Sequence, residues 1–473
     1  MSEDYHTTVP QVLPMEQTTS DAWEQEICPR LPLWWETQAA ALGAWTRDRE
    51  VHRPADLLRA ILASVLCGYS FNHLACWSVM RGIASISETA WRKRFQRAGD
   101  WLAWLLTQVV AAGAAPVPWI CSKGLGRIIL VDGTHLRCRG VRGMVARVHT
   151  AFDLLGGRLA EVLVTDEHQG ENWNRFAVQP GDLFMSDRVN GYQQRIVEMV
   201  CRGAHVLVRW QLSGLPLYER DGRRLDLLAW LKGRHAPAGR VCTREVWLHT
   251  PLVWVPLQLV ALRLTREQTE KAVCRKRKKA IQDKSKVSPA AAYGAGWLLL
   301  VSTLPKAEWN TAQLLTLYRA RWHIELLFKR IKQLLDVHQL RCEHWGRARA
   351  SLLAYLLCWA LQEEELAQIR LQLSEGQQEL AQEEQAGLMP QPDQEQAHVL
   401  SEWSLAALCV DQLPAQVRGV ISAHRFHACL PELARFLRGS PRRRPHWFSQ
   451  CRSWLTEARE EDVRGEGSPP SPA

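Results

Sequence analysis

Apolar residues recur at intervals of three and four from Leu33 to about Val110, most regularly through Ala55–Leu66, where Gly68 stands ready to end a helix. A further helix is expected from Ser85-Ile86-Ser87-Glu88 to Ala98, with a polar start and then Arg92, Lys93, Arg94 and Arg97. Near Pro116-Val117-Pro118 the period changes. Arg127–Thr134 predicts a short buried strand that delivers Asp132 at its end, with Gly133 where the backbone turns. Val145–Leu154 and Leu159–Thr165 flank Gly156-Gly157 and predict a hairpin. A helix is expected over Asn172–Val178, then a strand from Gly181 that ends in Asp187, a helix over Gly191–Cys201 and a strand over His205–Trp210. That order predicts a mixed α/β sheet.

From Leu212 to about Gly296 the alternation is lost, and Val241–Leu264 predicts a β-rich insertion. It leads to five successive cations, Arg275–Lys279, before a Ser/Pro/Ala stretch; a disordered loop is expected there, with phosphate contact as the functional alternative. Trp297–Ser302 predicts another buried strand, and Asn310 is placed to cap the helix that carries Tyr318–Lys332. Apolar helices over Ala350–Leu361 precede a Gln/Glu-rich solvated helix and linker over Gln362–Gln396. The expected organisation is a disordered N-terminus (1–30) and a helical domain (31–120) that carries the basic helix. An α/β core in two parts (121–212 and 297–345) follows, split by the insertion (213–296). A helical C-terminal region (346–456) with Arg442-Arg443-Arg444 and a disordered tail (457–473) end the chain.

On a helix, Tyr318, Arg321, Glu325 and Lys332 fall within an arc of roughly 60°. One face thus presents a phenol, two cations and one carboxylate, beside an apolar face of Leu317, Ile324, Leu327, Phe328 and Ile331. Two readings of Glu325 stand: a metal ligand whose neighbouring cations hold phosphates, or a carboxylate in local ion pairs.

Charge sharpens the choice. The formal net charge is +10 with a pI near 9.1, which favours a polyanionic partner, nucleic acid being the commonest for a soluble chain. The basic helix through Arg92, Lys93 and Arg94 either grips phosphates or is a solvated face. Twenty-two Trp are present, and Trp173, Trp210, Trp309 and Trp345 lie in loops or beside charges, where rings stack on bases or pack in the core. Thirteen Cys without a C-x-x-C pair or a zinc spacing suit reduced thiols. With no signal-like start and no apolar run of membrane-spanning length, a cytoplasmic or nucleoid-associated protein without a membrane partner is expected.

Asp132, Asp187 and Glu325 form the chemical constellation. Three carboxylates brought together can hold two Mg²⁺ ions about 3.5–4 Å apart, which supports phosphodiester chemistry without a protein nucleophile. Each Asp alone also suits a simple turn cap.

The spacing Tyr318-x2-Arg321-x3-Glu325-x6-Lys332 resembles the Y-R-E-K signature of the insertion-sequence-four group of bacterial DDE transposases. Val131-Asp132-Gly133-Thr134 and Ser186-Asp187-Arg188 resemble that group's first and second Asp motifs, and the likeness spans roughly Arg127–Leu340. The resemblance implies an RNase H-like α/β fold with a β-rich insertion, flanked by helical N- and C-terminal domains. It implies cut-and-paste transposition of double-stranded DNA, with Asp132, Asp187 and Glu325 holding Mg²⁺, or Mn²⁺ in its place. Tyr318, Arg321 and Lys332 are then phosphate contacts, with Arg188, Arg92, Lys93 and Arg94 as further DNA-binding candidates. A homodimer is implied in the paired-end complex. Close members form a DNA hairpin with an aromatic stacked on a flipped base, for which Trp254 and Trp297 are candidates. Alternatives are an RNase H-like nuclease that stops at hydrolysis, or a domesticated DNA-binding protein without catalysis.

Overall fold

In the computed structural model, residues 22–46, 50–113, 125–137, 145–212, 216–250, 253–335, 344–385 and 402–418 are described, with side chains of the long helix described only to about residue 369. Five helices come first: α1 (Trp35–Ala41), α2 (Pro54–Leu66), α3 (Phe71–Met80), α4 (Glu88–Arg97) and α5 (Gly99–Gly113). Almost the whole surface of α2 is buried, so apolar residues fill it beyond a single stripe, and Gly68 takes a left-handed conformation (φ +65°) just beyond its end. On α4, Ser87 caps the helix by accepting from the Ala90 amide, and Trp91 and Phe95, one turn apart, are buried. Before α1, a π-helical turn at Trp23–Ile27 buries Trp23 and Ile27 completely. The loosely attached segment expected through residue 30 is therefore already docked at Trp23, because an indole and an isoleucine there fill the core.

A single sheet follows, built from β1 (Ile128–Arg137), β2 (Val145–Asp153), β3 (Arg158–Asp166), β4 (Leu183–Ser186), then α6 (Gln193–Cys201) and β5 (His205–Trp210). The chain continues through α7 (Leu227–Lys232), β6 (Val241–His249), β7 (Trp254–Arg263), α8 (Arg266–Gln282), α9 (Pro289–Gly294) and β8 (Trp297–Ser302). Strand order is β3-β2-β1-β4-β5-β8-β7-β6. β1, β4 and β5 are parallel, and the other neighbours are antiparallel. The insertion's strands β6 and β7 thus extend the same sheet through β8. The helix expected over Asn172–Val178 is only a 3-10 turn, Trp173–Arg175, whose extended Asn172 caps it.

The largest local departure is Arg275–Lys279. These residues lie inside α8 instead of a loop, because Thr265 and Gln268 form a reciprocal capping box at its start and Lys, Arg, Ala and Gln favour helix throughout.

Then come α10 (Thr311–Ala320), α11 (Trp322–Leu334), α12 (Trp345–Gln385) and α13 (Glu402–Arg418). Asn310 caps α10 in a second capping box with Gln313. The Gln/Glu-rich stretch begins inside α12, and its first turns are buried instead of solvated: Gln362, Glu365, Leu366 and Ile369 are covered, with Arg30 paired to Glu365. The helices α1–α5 and α10–α13 share one core with the sheet face bearing Leu130, Met185 and Leu207. The opposite face, with Ile129, Phe184 and Val206, packs under α6 and α7. Arg442–Arg444 and the expected tail lie outside the described residues.

Candidate active site

Register across the parallel strands builds the site. Ile128 is level with Leu183, and Leu183 with His205. Four residues further along each strand direction come Asp132, Asp187 and Arg209, so extension of that register aligns all three in one row across β1, β4 and β5, level with the end of β4. Period-two alternation assigns Asp132 to the face of Leu130 and Arg209 to that of Leu207, the side where α10 and α11 pack. β4 stops at Ser186 while β1 runs on beside β2 to Arg137, so the parallel strands part and leave a crevice of the kind that binds ligands in open α/β sheets. Asp132 is thus within the strand and not at its end, and Gly133 makes no turn there.

Asp187 follows β4 and caps a 3-10 turn, Arg188–Asn190, its Oδ1 accepting from the Val189 amide at 2.8 Å. Asp182, at the other end of the strand, is structural: fully buried, it accepts from Arg127 Nε (3.1 Å), Arg127 Nη2 (2.7 Å) and the Gln179 amide (2.8 Å).

The signature helix is two helices. At Arg321 the hydrogen bonds shorten to three-residue steps, Arg321 N to Tyr318 O and Ile324 N to Arg321 O, both 3.2 Å. Arg321 sits on this joint and spans two carboxylates: Nη1 donates to Asp132 Oδ2 at 3.3 Å, and Nη2 pairs with Glu325. The Tyr318 side chain also hydrogen-bonds Arg321, and Lys332 donates to Thr134 Oγ1, two residues beyond Asp132 on the same strand face. Tyr318, Arg321, Glu325 and Lys332 therefore face the carboxyl half of β1 together.

Burial pushes the Asp132 carboxyl up to about 6; the Gly133 amide and Arg321 oppose that rise, while the charges of Asp187 and Glu325 add to it. Burial likewise raises the Tyr318 hydroxyl and lowers the Lys332 ammonium.

Sequence reasoning passed over Glu171 and Arg209. Glu171 lies against Gly133, where an added Cβ would come within 2.7 Å of its Cγ, and burial with the charges of Asp132 and Asp187 pushes its carboxyl up to about 7. No local pattern marks Glu171, whereas Arg209 was findable by counting register from the predicted strands.

The donor set suits a hard divalent cation: carboxylate oxygens, with no thiolate or imidazole among them. Among the described residues no three Asp, Glu, His or Cys groups converge closely enough to hold an ion as they stand, and Arg321 supplies the positive charge between Asp132 and Glu325.

Other candidates lie elsewhere. Arg92, Lys93 and Arg94 are on α4, which packs chiefly on α3, α5 and α12; Arg92 pairs with Glu88, and Lys93 is exposed. Arg188 is exposed beside Asp187. Trp173, Trp210 and Trp309 are buried and Trp345 is half-buried, which removes the first three as stacking surfaces. Trp297 is 3% exposed under Arg263, whereas Trp254 is 44% exposed beside His249 and Tyr218.

Comparison with known proteins agrees with this architecture. The family profile described as a transposase DDE domain matches residues 123–361. The chain is 31% identical over 332 residues to the putative transposase InsL for insertion sequence element IS186A of Escherichia coli (strain K12), covering 68% of this chain and 87% of that one. It is 31% identical over 333 residues to the transposase for insertion sequence element IS421 of Escherichia coli, with the same coverage. The chain belongs to the DDE transposase family, and its α/β sheet is the family's RNase H-like fold. Members are enzymes of DNA transposition that cleave and rejoin phosphodiesters with divalent metal ions. No helix among the described residues is long and apolar enough to cross a membrane.

Proposed function

We propose that this transposase cuts at the ends of its own element and joins them to target DNA through Asp132, Asp187 and Glu325, in a cut-and-paste reaction. The observation that supports it is the shared row of Asp132, inside β1, and Asp187, just past the end of the parallel β4, with Glu325 tied to Asp132 through Arg321. These three carboxylates would hold Mg²⁺, with Mn²⁺ as a substitute, and the metal would supply charge neutralisation and nucleophile activation. The chain's own cations orient the substrate. Arg321 offers a fork to phosphate oxygens, Lys332 a point charge and Tyr318 a hydroxyl, so the scissile bond is held in line for attack by water or a 3′-hydroxyl. Arg188 flanks that position, and the exposed Lys93 with its neighbours Arg92 and Arg94 extends DNA contact onto α4. Two ends must meet before joining, so the DNA-bound form is a homodimer, and the protein works on the nucleoid.

The test uses purified protein and labelled duplex carrying the element's ends, with and without Mg²⁺. Wild type is expected to cleave at the ends and join them to a second DNA, while Glu325→Gln binds but loses cleavage by about a hundred- to a thousandfold, the order expected when a developing charge loses its stabilisation. Cleavage surviving in Glu325→Gln would remove this residue from the site; cleavage by wild type without joining would favour a nuclease.

A further inference from the structure

Thr150 is a polar residue in an apolar row. β2 turns Ala146, Val148, Thr150 and Phe152 to the face under the helices, and the other three belong to the core there. Thr150 is completely buried, and its Oγ1 has no hydrogen-bond partner among the described residues. A hydroxyl buried in that way gives up water without a protein bond in return, a cost that a valine of the same shape would not carry. Strand propensity does not favour threonine over valine, because both side chains are β-branched. Neither packing nor propensity therefore accounts for the hydroxyl.

The neighbours of Thr150 in the sheet offer one acceptor. Val148 and Phe152 flank it along β2, Val162 lies opposite on β3, and Asp132 lies opposite on β1 in direct register. Residues opposed in an antiparallel pair project from the same face with Cβ atoms about 4.5–5.5 Å apart. Rotation about the Asp132 side-chain bonds can therefore bring a carboxylate oxygen to the hydroxyl. In this structure both oxygens are turned elsewhere: Oδ1 accepts from the Gly133 amide at 2.8 Å, and Oδ2 takes a long bond of 3.3 Å from Arg321 Nη1. A carboxylate has about four acceptor positions, so neither oxygen is saturated. A cation bound at Asp132 competes with the Arg321 guanidinium for the same oxygen and repels it. The carboxylate must then turn, and Thr150 is the donor placed to hold it in its new orientation.

We propose that Thr150 is a positioning residue for the metal site: its hydroxyl, buried opposite Asp132 without a partner, donates to the Asp132 carboxylate when that group exchanges Arg321 for a divalent cation. This rests on the reading of Asp132 as a metal ligand. It adds a residue of β2 that belongs neither to the three carboxylates nor to the motif on α10 and α11. The bond fixes which oxygen faces the cation, as hydrogen bonds to ligating side chains do in metal sites generally. Without the hydroxyl the carboxylate swings back towards Arg321, so the loss falls on metal affinity and not on the fold.

Mn²⁺ binding to full-length protein is titrated by the loss of the free ion's paramagnetic resonance signal, and unfolding midpoints are measured in EDTA. The proteins are wild type, Thr150→Val, Thr150→Ser and Asp132→Asn. Thr150→Val is expected to bind Mn²⁺ about ten- to a hundredfold more weakly, with a midpoint in EDTA no lower than that of wild type. Thr150→Ser keeps the hydroxyl and loses a methyl group, so it should restore the affinity while its midpoint falls. A merely structural hydroxyl gives the opposite pattern, with a lowered midpoint and unchanged affinity for Thr150→Val, and that result overturns the proposal. So does a Thr150→Ser protein that binds as weakly as Thr150→Val. Affinity lost in Asp132→Asn but kept in Thr150→Val overturns this inference alone, whereas identical titrations of wild type and Asp132→Asn overturn the reading of Asp132 as a ligand together with it.

Discussion

Arg321→Gln tests how the charges at the site are balanced before DNA arrives. The substitution leaves Asp132 and Glu325 facing one another without their shared cation. At 3.3 Å and an effective dielectric of about 20, the Arg321–Asp132 attraction alone is roughly 5 kcal/mol before desolvation. Arg321 and Asp132 are 18% and 20% exposed and Glu325 34%, so the net loss falls between the about 0.2–1 kcal/mol of an exposed pair and the about 3–5 kcal/mol of a broken buried one. A destabilisation of about 2 kcal/mol is expected in EDTA at pH 7.5, measured by urea unfolding through Trp fluorescence. The deficit should shrink as pH falls through the raised Asp132 value of about 6, because the protonated carboxyl no longer needs a partner. Mg²⁺ should stabilise the variant more than wild type, since a cation now meets two uncompensated carboxylates; a tenfold tighter site adds up to about 1.4 kcal/mol. Equal stability of the two proteins in EDTA, or equal gains from Mg²⁺, would refute the reasoning.

Three further outcomes are expected. Burial holds the His149 imidazole down to about 4, so the unfolded chain protonates first and stability is lost as pH falls from 6.5 towards 4, by at most about 3 kcal/mol. His149→Gln should remove that loss; because the raised Asp132 and Glu171 act in the opposite sense over the same window, the difference between the two proteins is the readout, and parallel pH profiles would count against it. Gly133→Ala sets a Cβ within 2.7 Å of Glu171 Cγ and should cost about 1–3 kcal/mol, most of it recovered in the double variant with Glu171→Ala; purely additive effects would show that the two do not touch. Trp254→Ala should weaken binding to an end duplex bearing an unpaired base by about 1–3 kcal/mol while leaving fully paired duplex unaffected; an equal loss on both would mean that Trp254 does not stack on a base.

Strands were legible because burial writes itself into the sequence. Both faces of β4 are covered, and Leu183–Ser186 reads as an uninterrupted buried run; the β2–β3 hairpin announces itself at Gly156-Gly157. What failed was local reading that let one signal override another. At Arg275–Lys279 a run of charge outweighed good helix formers and the Thr265–Gln268 cap, although solvated charge is compatible with an exposed helix. The joint at Arg321 left no mark, because a three-residue hydrogen-bond step needs no special residue. Glu171 was out of reach for a different reason: it is carried on the connection after β3, and only the missing Cβ of Gly133 lets it approach Asp132.

The candidate site residues were legible as a set through the spacing of a helix motif and two Asp motifs, yet their meeting is decided by the sheet. Asp132, Asp187 and Arg209 share a row because β1, β4 and β5 pair in one register, and a slip of one residue in any of them would turn its charged group to the opposite face. Slippage is resisted by alternate packing: Leu130, Met185 and Leu207 belong to the core under the helices, and Ile129, Phe184 and Val206 to the core on the other side. Moving a strand by one step would exchange these sets and bury its Asp or Arg on the wrong side without a partner, which costs several kcal/mol per charge. The apolar alternation that makes the fold is therefore the same constraint that aligns two carboxylates and a guanidinium, and α11 then needs only to dock on β1 for Arg321 and Glu325 to complete the group.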